Sequence, residues 1–214
     1  MSPSWKVLLI GGSAVARHFG ISVLHADDLR LAIQQVTSPA AHPALHYFVT
    51  YPDVWREPPE AQRDALIVVG RAMTPALKIV IAYHVVVEEV GSIVLEGDGI
   101  LPELAAQQEF TDLKYSPPVK VENQVRSLFL YEPDETAVLQ NMRRRGRGFE
   151  DFSPEEQRQQ ARAAWLYGLW LHDAAQKNSL SVGAWETLTK RVLTFANDSS
   201  TLNGESCPTT DIEQ

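Results

Sequence analysis

The chain has one cysteine in 214 residues, which excludes an intramolecular disulfide framework and any multi-cysteine metal site. That residue, Cys207, lies in a polar C-terminal stretch, and a reducing cytoplasm fits this usage best. Long hydrophobic runs are also missing. Val7-Leu8-Leu9-Ile10 is too short for a signal-peptide core and is followed by glycines and an arginine rather than a cleavage site. The most apolar stretch, Ala76 to Val87, falls short of the ~18 residues a membrane span requires and carries Lys78 and His84, so no membrane span is expected. Basic residues are in the minority, 19 against 27 acids for a net charge of −8. Asp198, Glu205, Asp211 and Glu213 lie beyond residue 196 without a base, leaving 23 acids against 19 bases, a net −4, over residues 1–196. That balance argues against a nucleic-acid-coating surface.

What is present is the material of a folded domain. Hydrophobic residues at 44% and charged residues at 21% fit neither wholesale disorder nor a fibrous repeat. The sequence predicts one domain over residues 1–196 and a disordered acidic tail over 197–214, where apolar residues are few and Ser, Thr, Asn and Gly many.

Trp5 to Ile10 reads as a buried strand stopped by Gly11-Gly12, and Ser13 to Phe19 as about two helical turns ended by Gly20. Ile21 to Leu24 reads as a second strand, followed by a helix whose apolar positions are Leu29, Ala32, Ile33 and Val36. Thr37 to Glu57 has no period and reads as an ordered surface excursion. Helix resumes near Pro59, with a break or kink at Pro75, and runs to about Val90, where Gly91 closes it. Ser92 to Glu96 is a third strand, Pro102 to Gln108 a short helix and Val125 to Tyr131 a fourth strand. Asp134 caps a helix ending in Arg143-Arg144-Arg145. Ser153-Pro154-Glu155-Glu156 is a capping box for a long helix to about Asn178. Leu180 to Val182 and Trp185 to Ala196 supply a last strand and helix. Strands alternating with helices predict an α/β fold, a three-layer parallel sheet with helices on both faces.

In such a sheet ligands sit beyond the carboxyl ends of the strands. Residues expected there are Gly11, Gly12 and Ser13, then Asp27, Asp28 and Arg30, then Glu96 and Asp98, and the cluster from Arg143 to Arg147. Acids in one crevice can hold Mg²⁺ through water or accept a proton from a hydroxyl, and arginines can neutralise phosphate charge. Together they are the equipment of phosphoryl transfer. Each group also has a plainer reading. Asp27 and Asp28 can simply charge a helix N-terminus, Glu96 and Asp98 can be turn residues, and the arginines can complement a helix C-terminus. His42, His46 and His84 read as packing or solvated residues rather than a metal site. The helical stripe Trp165, Gly168, Leu169 and His172 reads as core, with Arg158 and Arg162 facing the lid or solvent. Ser13 with His18 or His25 lacks the elbow and third partner of a hydrolytic triad.

Five segments in order along the chain carry a resemblance: Val7 to Ser13; Asp27-Asp28-Leu29-Arg30-Leu31-Ala32; His42 to Phe48; Val94-Leu95-Glu96-Gly97-Asp98-Gly99-Ile100-Leu101-Pro102; and Arg145-Gly146-Arg147-Gly148-Phe149. Over roughly residues 5–196 the sequence resembles the 2-phosphoglycerate kinase-like branch of the P-loop small-molecule kinases. The resemblance implies a nucleoside-monophosphate-kinase-like fold, binding of ATP and Mg²⁺, and phosphorylation of a small hydroxyl-bearing acceptor that is itself phosphorylated or carboxylated. It implies Asp27 or Asp28 as the acceptor-side acid, Glu96 and Asp98 as metal-binding acids, and Arg145 and Arg147 in a catalytic lid over about 143–153. Arg30 would bind substrate, and Gly11, Gly12 and Ser13 would stand where the nucleotide phosphates are held.

One departure is large. The family's Gly-x-x-x-x-Gly-Lys-Ser/Thr loop cradles phosphates with backbone N–H groups and a lysine. Here the chain reads Gly11-Gly12-Ser13-Ala14-Val15-Ala16-Arg17-His18-Phe19-Gly20, and none of its six lysines follows a glycine. Only ten residues separate Ile10 from Ile21, and a parallel crossover with its helix needs at least ~10–12, leaving no room for the loop as well. A deletion of the loop and the first helical turns is the simplest account, with Arg17 a candidate substitute cation. The expected function is therefore a kinase-like protein with weak or absent ATP turnover. The alternative is a non-catalytic module that senses a metabolite on the same fold.

Overall fold

The computed structural model describes residues 5–11, 22–110, 118–121, 123–146 and 148–184. The predicted helices over 13–19 and 185–196 and the tail after 197 lie outside the described residues, as do Gly12, Ser13 and Arg147.

The first strand, β1 (Val7–Gly11), is buried along its whole length. β2 (Ser22–His25) leads directly into α1 (Ala26–Val36). The 37–57 excursion is ordered, holding a single turn α2 (Tyr47–Thr50) and a 3₁₀ turn over Pro52–Arg56. The 28-residue α3 (Pro59–Val86) follows, then β3 (Ile93–Gly97), the short α4 (Pro102–Ala105) and a small antiparallel pair, β4 (Glu109–Phe110) with β5 (Val119–Lys120). The chain continues with β6 (Val125–Tyr131), α5 (Glu135–Arg145), α6 (Pro154–Lys177) and β7 (Ser181–Ala184).

The main sheet is all parallel, in the order β2-β3-β1-β6-β7. Parallel strands are covered on both faces and so read as unbroken apolar runs, which is why β1, β3 and β6 stand out in the sequence. Val7, Leu9, Ile93, Leu95 and Phe129 point into one cluster with Met73, Leu77 and Ile81 of α3 and Tyr167, Leu171 and Ala175 of α6. The alternate residues Leu8, Ile10 and Val94 are just as fully buried, so the sheet is an internal layer and the fold is α/β.

Several expectations change in detail. α3 runs through Pro75 without a break and stops at Val86, short of Gly91. Pro75 lies on the exposed face of the helix, where water can satisfy the Arg71 carbonyl that proline leaves unpaired. α3 is the one helix among the described residues long and apolar enough to cross a membrane, but Met73, Leu77 and Ile81 bury it in the core. In α1, Leu29 and Ile33 pack on the core, whereas Val36 is 84% exposed because the helix ends there, beyond its supporting layer. In α6 the deep stripe is Tyr167, Leu171 and Ala175. The stripe Trp165, Gly168 and His172 instead forms a second contact face against the end of β6. There Trp165 Nε1 donates to the Pro133 carbonyl at 3.0 Å, and the His172 ring lies 4.4 Å from that of Tyr131. The predicted caps are present: Asp134 accepts from the Thr136 N–H at 2.8 Å, and Ser153 and Glu156 form a reciprocal capping box.

Candidate functional site

After β1 the chain moves outward to β2, and after β3 it crosses over β1 to β6 on the other side. The carboxyl end of β1 is thus a topological switch point, where open α/β sheets leave a crevice. Gly11 ends β1 there, between Gly97 and Phe129 of the neighbouring strands. A Cβ on Gly11 would lie 2.4 Å from the Phe129 ring, so close packing alone requires glycine at this position.

Gly97, at the end of β3, has φ +141, and a Cβ on it would lie 3.1 Å from that of Ala26. The missing side chain lets the first turn of α1 press against the end of β3. That approach brings Asp27 and Asp98, 71 positions apart, to one cleft of about 210 Å³. α1 supplies Asp27 and Arg30, and the turn after β3 supplies Asp98 and Gly99. The rest of the lining is largely apolar: Leu66, Val69 and Met73 of α3, with Phe48 and Trp55 of the excursion.

Arg30 is held in place. Its Nη2 donates to Asp27 Oδ1 at 3.1 Å, its guanidinium lies 5.7 Å from the centre of the Phe48 ring, and its side chain is 19% exposed. Phe48 is in turn stacked on Trp55, with centroids 5.0 Å apart and planes within 9°. These contacts fix a cation at the cleft wall without the loss of side-chain freedom that a loose arginine would suffer on binding a ligand.

The surroundings of Asp98 push its carboxyl from 3.8 up to about 6, first through crowding by protein and then through the negative charge of Asp27. Arg145, at the end of α5, and Arg30 oppose the shift. Asp98 remains open to water in the cleft, which screens part of these effects, so the direction carries the argument. An acid raised in this way exchanges protons near neutral pH and can accept one from a bound hydroxyl. The Tyr167 hydroxyl donates to the Asp98 main-chain carbonyl and fixes the turn. Burial, then Asp98 and Asp27, raise the Tyr167 pKa well above its ordinary value, keeping that donor neutral.

The predicted site residues therefore divide. Asp27, Arg30 and Asp98 share the cleft, and Arg145 lies within electrostatic reach of it. Asp28 is exposed and does not line the cleft. Glu96 also lies outside the lining: its side chain is 6% exposed and pairs with His25 Nδ1 at 3.1 Å, one strand across. Phe48 and Trp55 were not foreseen as site residues. The aromatic content of the excursion was the available signal, but it had no period to assign it a face. His46 and His84 serve local packing, through Thr37 Oγ1 and the Gly91 carbonyl, each at 3.0 Å.

The donor chemistry limits a metal. Among the described residues no three acids or histidines converge as a cage. Mg²⁺ needs only one or two protein carboxylates, its remaining ligands being waters and substrate oxygens. Asp27 and Asp98 fit that role, with Glu96 engaged by His25. For ATP, Gly11 is the one predicted phosphate-side residue among those described, and its glycine is accounted for by Phe129. No family model, curated protein or solved structure matches this chain.

Proposed function

We propose that the chain is a P-loop small-molecule kinase-like protein of the 2-phosphoglycerate kinase type that retains an acceptor cleft and has weak or absent ATP turnover. The observation that carries this reading is the meeting of Asp27, Arg30 and Asp98 in one cleft beyond the carboxyl ends of β2 and β3. Counting the main-sheet strands alone, their order is 2-3-1-4-5. It differs from the doubly wound orders 3-2-1-4-5 and 2-1-3-4-5 and suits a nucleoside-monophosphate-kinase-like arrangement.

In this reading Arg30 binds the anionic group of a small acceptor and Asp98 takes the proton of its hydroxyl, with Asp27 holding Arg30. Arg145 balances charge from the lid side; Arg147, the second lid arginine that the resemblance implies, lies outside the described residues. ATP would supply the phosphoryl group, and Mg²⁺, held by water and phosphate oxygens beside Asp27, would neutralise its charge. Without a Gly-Lys loop the nucleotide side lacks the usual cradle, and positioning and charge stabilisation are nearly all that phosphoryl transfer takes from a protein. The protein would act in a reducing cytoplasm.

That missing loop also favours a second reading, a metabolite sensor built on the same cleft. Calorimetry with Mg-ATP and with small hydroxy acids, beside an ATP-turnover assay, separates these readings. Acid binding that requires Arg30, with little turnover, is the expected result. Acid binding with no measurable Mg-ATP affinity selects the sensor, and micromolar Mg-ATP affinity rules it out. Ordinary kinase turnover abolished by Asp27→Ala would overturn the impairment and require a replacement phosphate site.

A further inference from the structure

We infer, building on the acceptor-cleft reading, that the preferred occupant is a small monocarboxylic hydroxy acid with a branched aliphatic body. A wholly polar acid or a phosphorylated one fits the cleft less well. The lining mixes two chemistries: the polar Asp27, Arg30 and Asp98 and the aliphatic Leu66, Val69 and Met73. A ligand carrying hydroxyls along its whole length would lay some of them against the aliphatic side chains without partners, losing their hydration. An aliphatic body covers those side chains instead, and each methylene removed from water is worth roughly fourfold in Kd.

Charge narrows the head group. The lining carries two carboxylates, Asp27 and Asp98, and one arginine, Arg30. The Arg30 guanidinium already shares its charge with Asp27 at 3.1 Å. Arg145 acts on Asp98 from outside the lining, so a dianionic phosphate would meet two lining carboxylates with the partly engaged Arg30 as its anchor, whereas a single carboxylate needs only that arginine. Size agrees: about 210 Å³ is below the ~300–1,000 Å³ of sites for drug-sized ligands, which suits a small acid. The stacked Phe48 and Trp55 form the rim, with Trp55 at 36% exposure, where it can close over an aliphatic chain.

The test is calorimetry on the full chain with 2-hydroxy-4-methylpentanoate, glycerate and 2-phosphoglycerate. The methylpentanoate should bind on the order of tens-fold more tightly than glycerate, given its additional buried carbons, and 2-phosphoglycerate should bind no more tightly than glycerate. Trp55→Ala should reduce the ratio of methylpentanoate to glycerate affinity severalfold. Equal or tighter binding of glycerate or 2-phosphoglycerate overturns this inference and leaves the acceptor cleft standing. Failure of all three acids to bind overturns the inference and the acceptor reading together.

Discussion

At the amino end of the sheet, Lys6 Nζ donates to the main-chain carbonyls of Glu88 and Val90 at 3.3 and 3.2 Å, and Ser92 Oγ donates to that of Trp5 at 2.9 Å. At the carboxyl end, Arg30, Asp27 and Asp98 face a cleft, and Asp27 and Arg30 shift the Asp98 proton equilibrium in opposite directions. The same kinds of side chain thus do two jobs. At the amino end they are consumed by the main-chain groups that turns leave unpaired. At the carboxyl end they meet one another across open space, where a ligand can enter. Parallel strands create this asymmetry because their dipolar ends and connecting turns gather by type, and the switch point beside β1 opens only one end.

Substitutions that separate stability from binding put this contrast at risk. The largest effect should come from Trp5→Ala at the closed end. Trp5 is 1% exposed, so its loss should cost about 3–5 kcal/mol in urea unfolding while the surviving folded protein binds acid normally. Arg30→Ala should do the reverse. It should weaken hydroxy-acid binding by about 10- to 100-fold, as for loss of a charged hydrogen bond, with the unfolding midpoint nearly unchanged. If Trp5→Ala abolished binding in protein shown to be folded, or Arg30→Ala unfolded the chain, the two ends would not be independent.

Ser153→Ala tests a structural element of the carboxyl end, because it removes the cap of α6. About 1 kcal/mol of stability should go, with acid affinity unchanged by calorimetry.

The smallest effect is in the pH dependence. With its carboxyl raised from 3.8 to about 6, Asp98 keeps in the folded protein a proton that the unfolded chain releases. Its contribution therefore makes stability fall as pH rises between those two values and adds a constant penalty above them. Asp98→Asn should melt at a higher temperature than the parent at neutral pH, the gap closing as pH falls to about 4. Followed by NMR, the Asp98 titration midpoint should move down in Asp27→Asn and up in Arg30→Ala. A midpoint indifferent to both changes would mean that the three groups are not electrically coupled.

Much of the fold was readable because the signals were local. β1, β3 and β6 are apolar runs, and the Asp134 and Ser153 caps are fixed by residues two or three positions away. Where facing depended on partners far along the chain, the reading was less sharp. Asp27 and Asp28 are equivalent as helix-initiating acids, and only the packing of Leu29 and Ile33 turns one toward the cleft and the other to solvent. Glu96 and Asp98 are likewise similar in sequence, yet the neighbouring strand supplies His25 to Glu96. In α6, two stripes had helical spacing, and the sheet selected Tyr167 and Leu171 for the deeper one.

By itself, then, the sequence determined an α/β chain of apolar strands and capped helices, with acids and arginines at the strand ends and no Gly-Lys phosphate loop. Alternation, capping and loop length are written in neighbouring residues, so they need no knowledge of the rest of the chain. The tertiary structure decided which acids meet, that Arg30 is braced by Asp27 and Phe48, and that aliphatic side chains of α3 line the same cleft. Those are contacts between segments tens of residues apart, set by sheet order and by the close approach that Gly97 allows to Ala26.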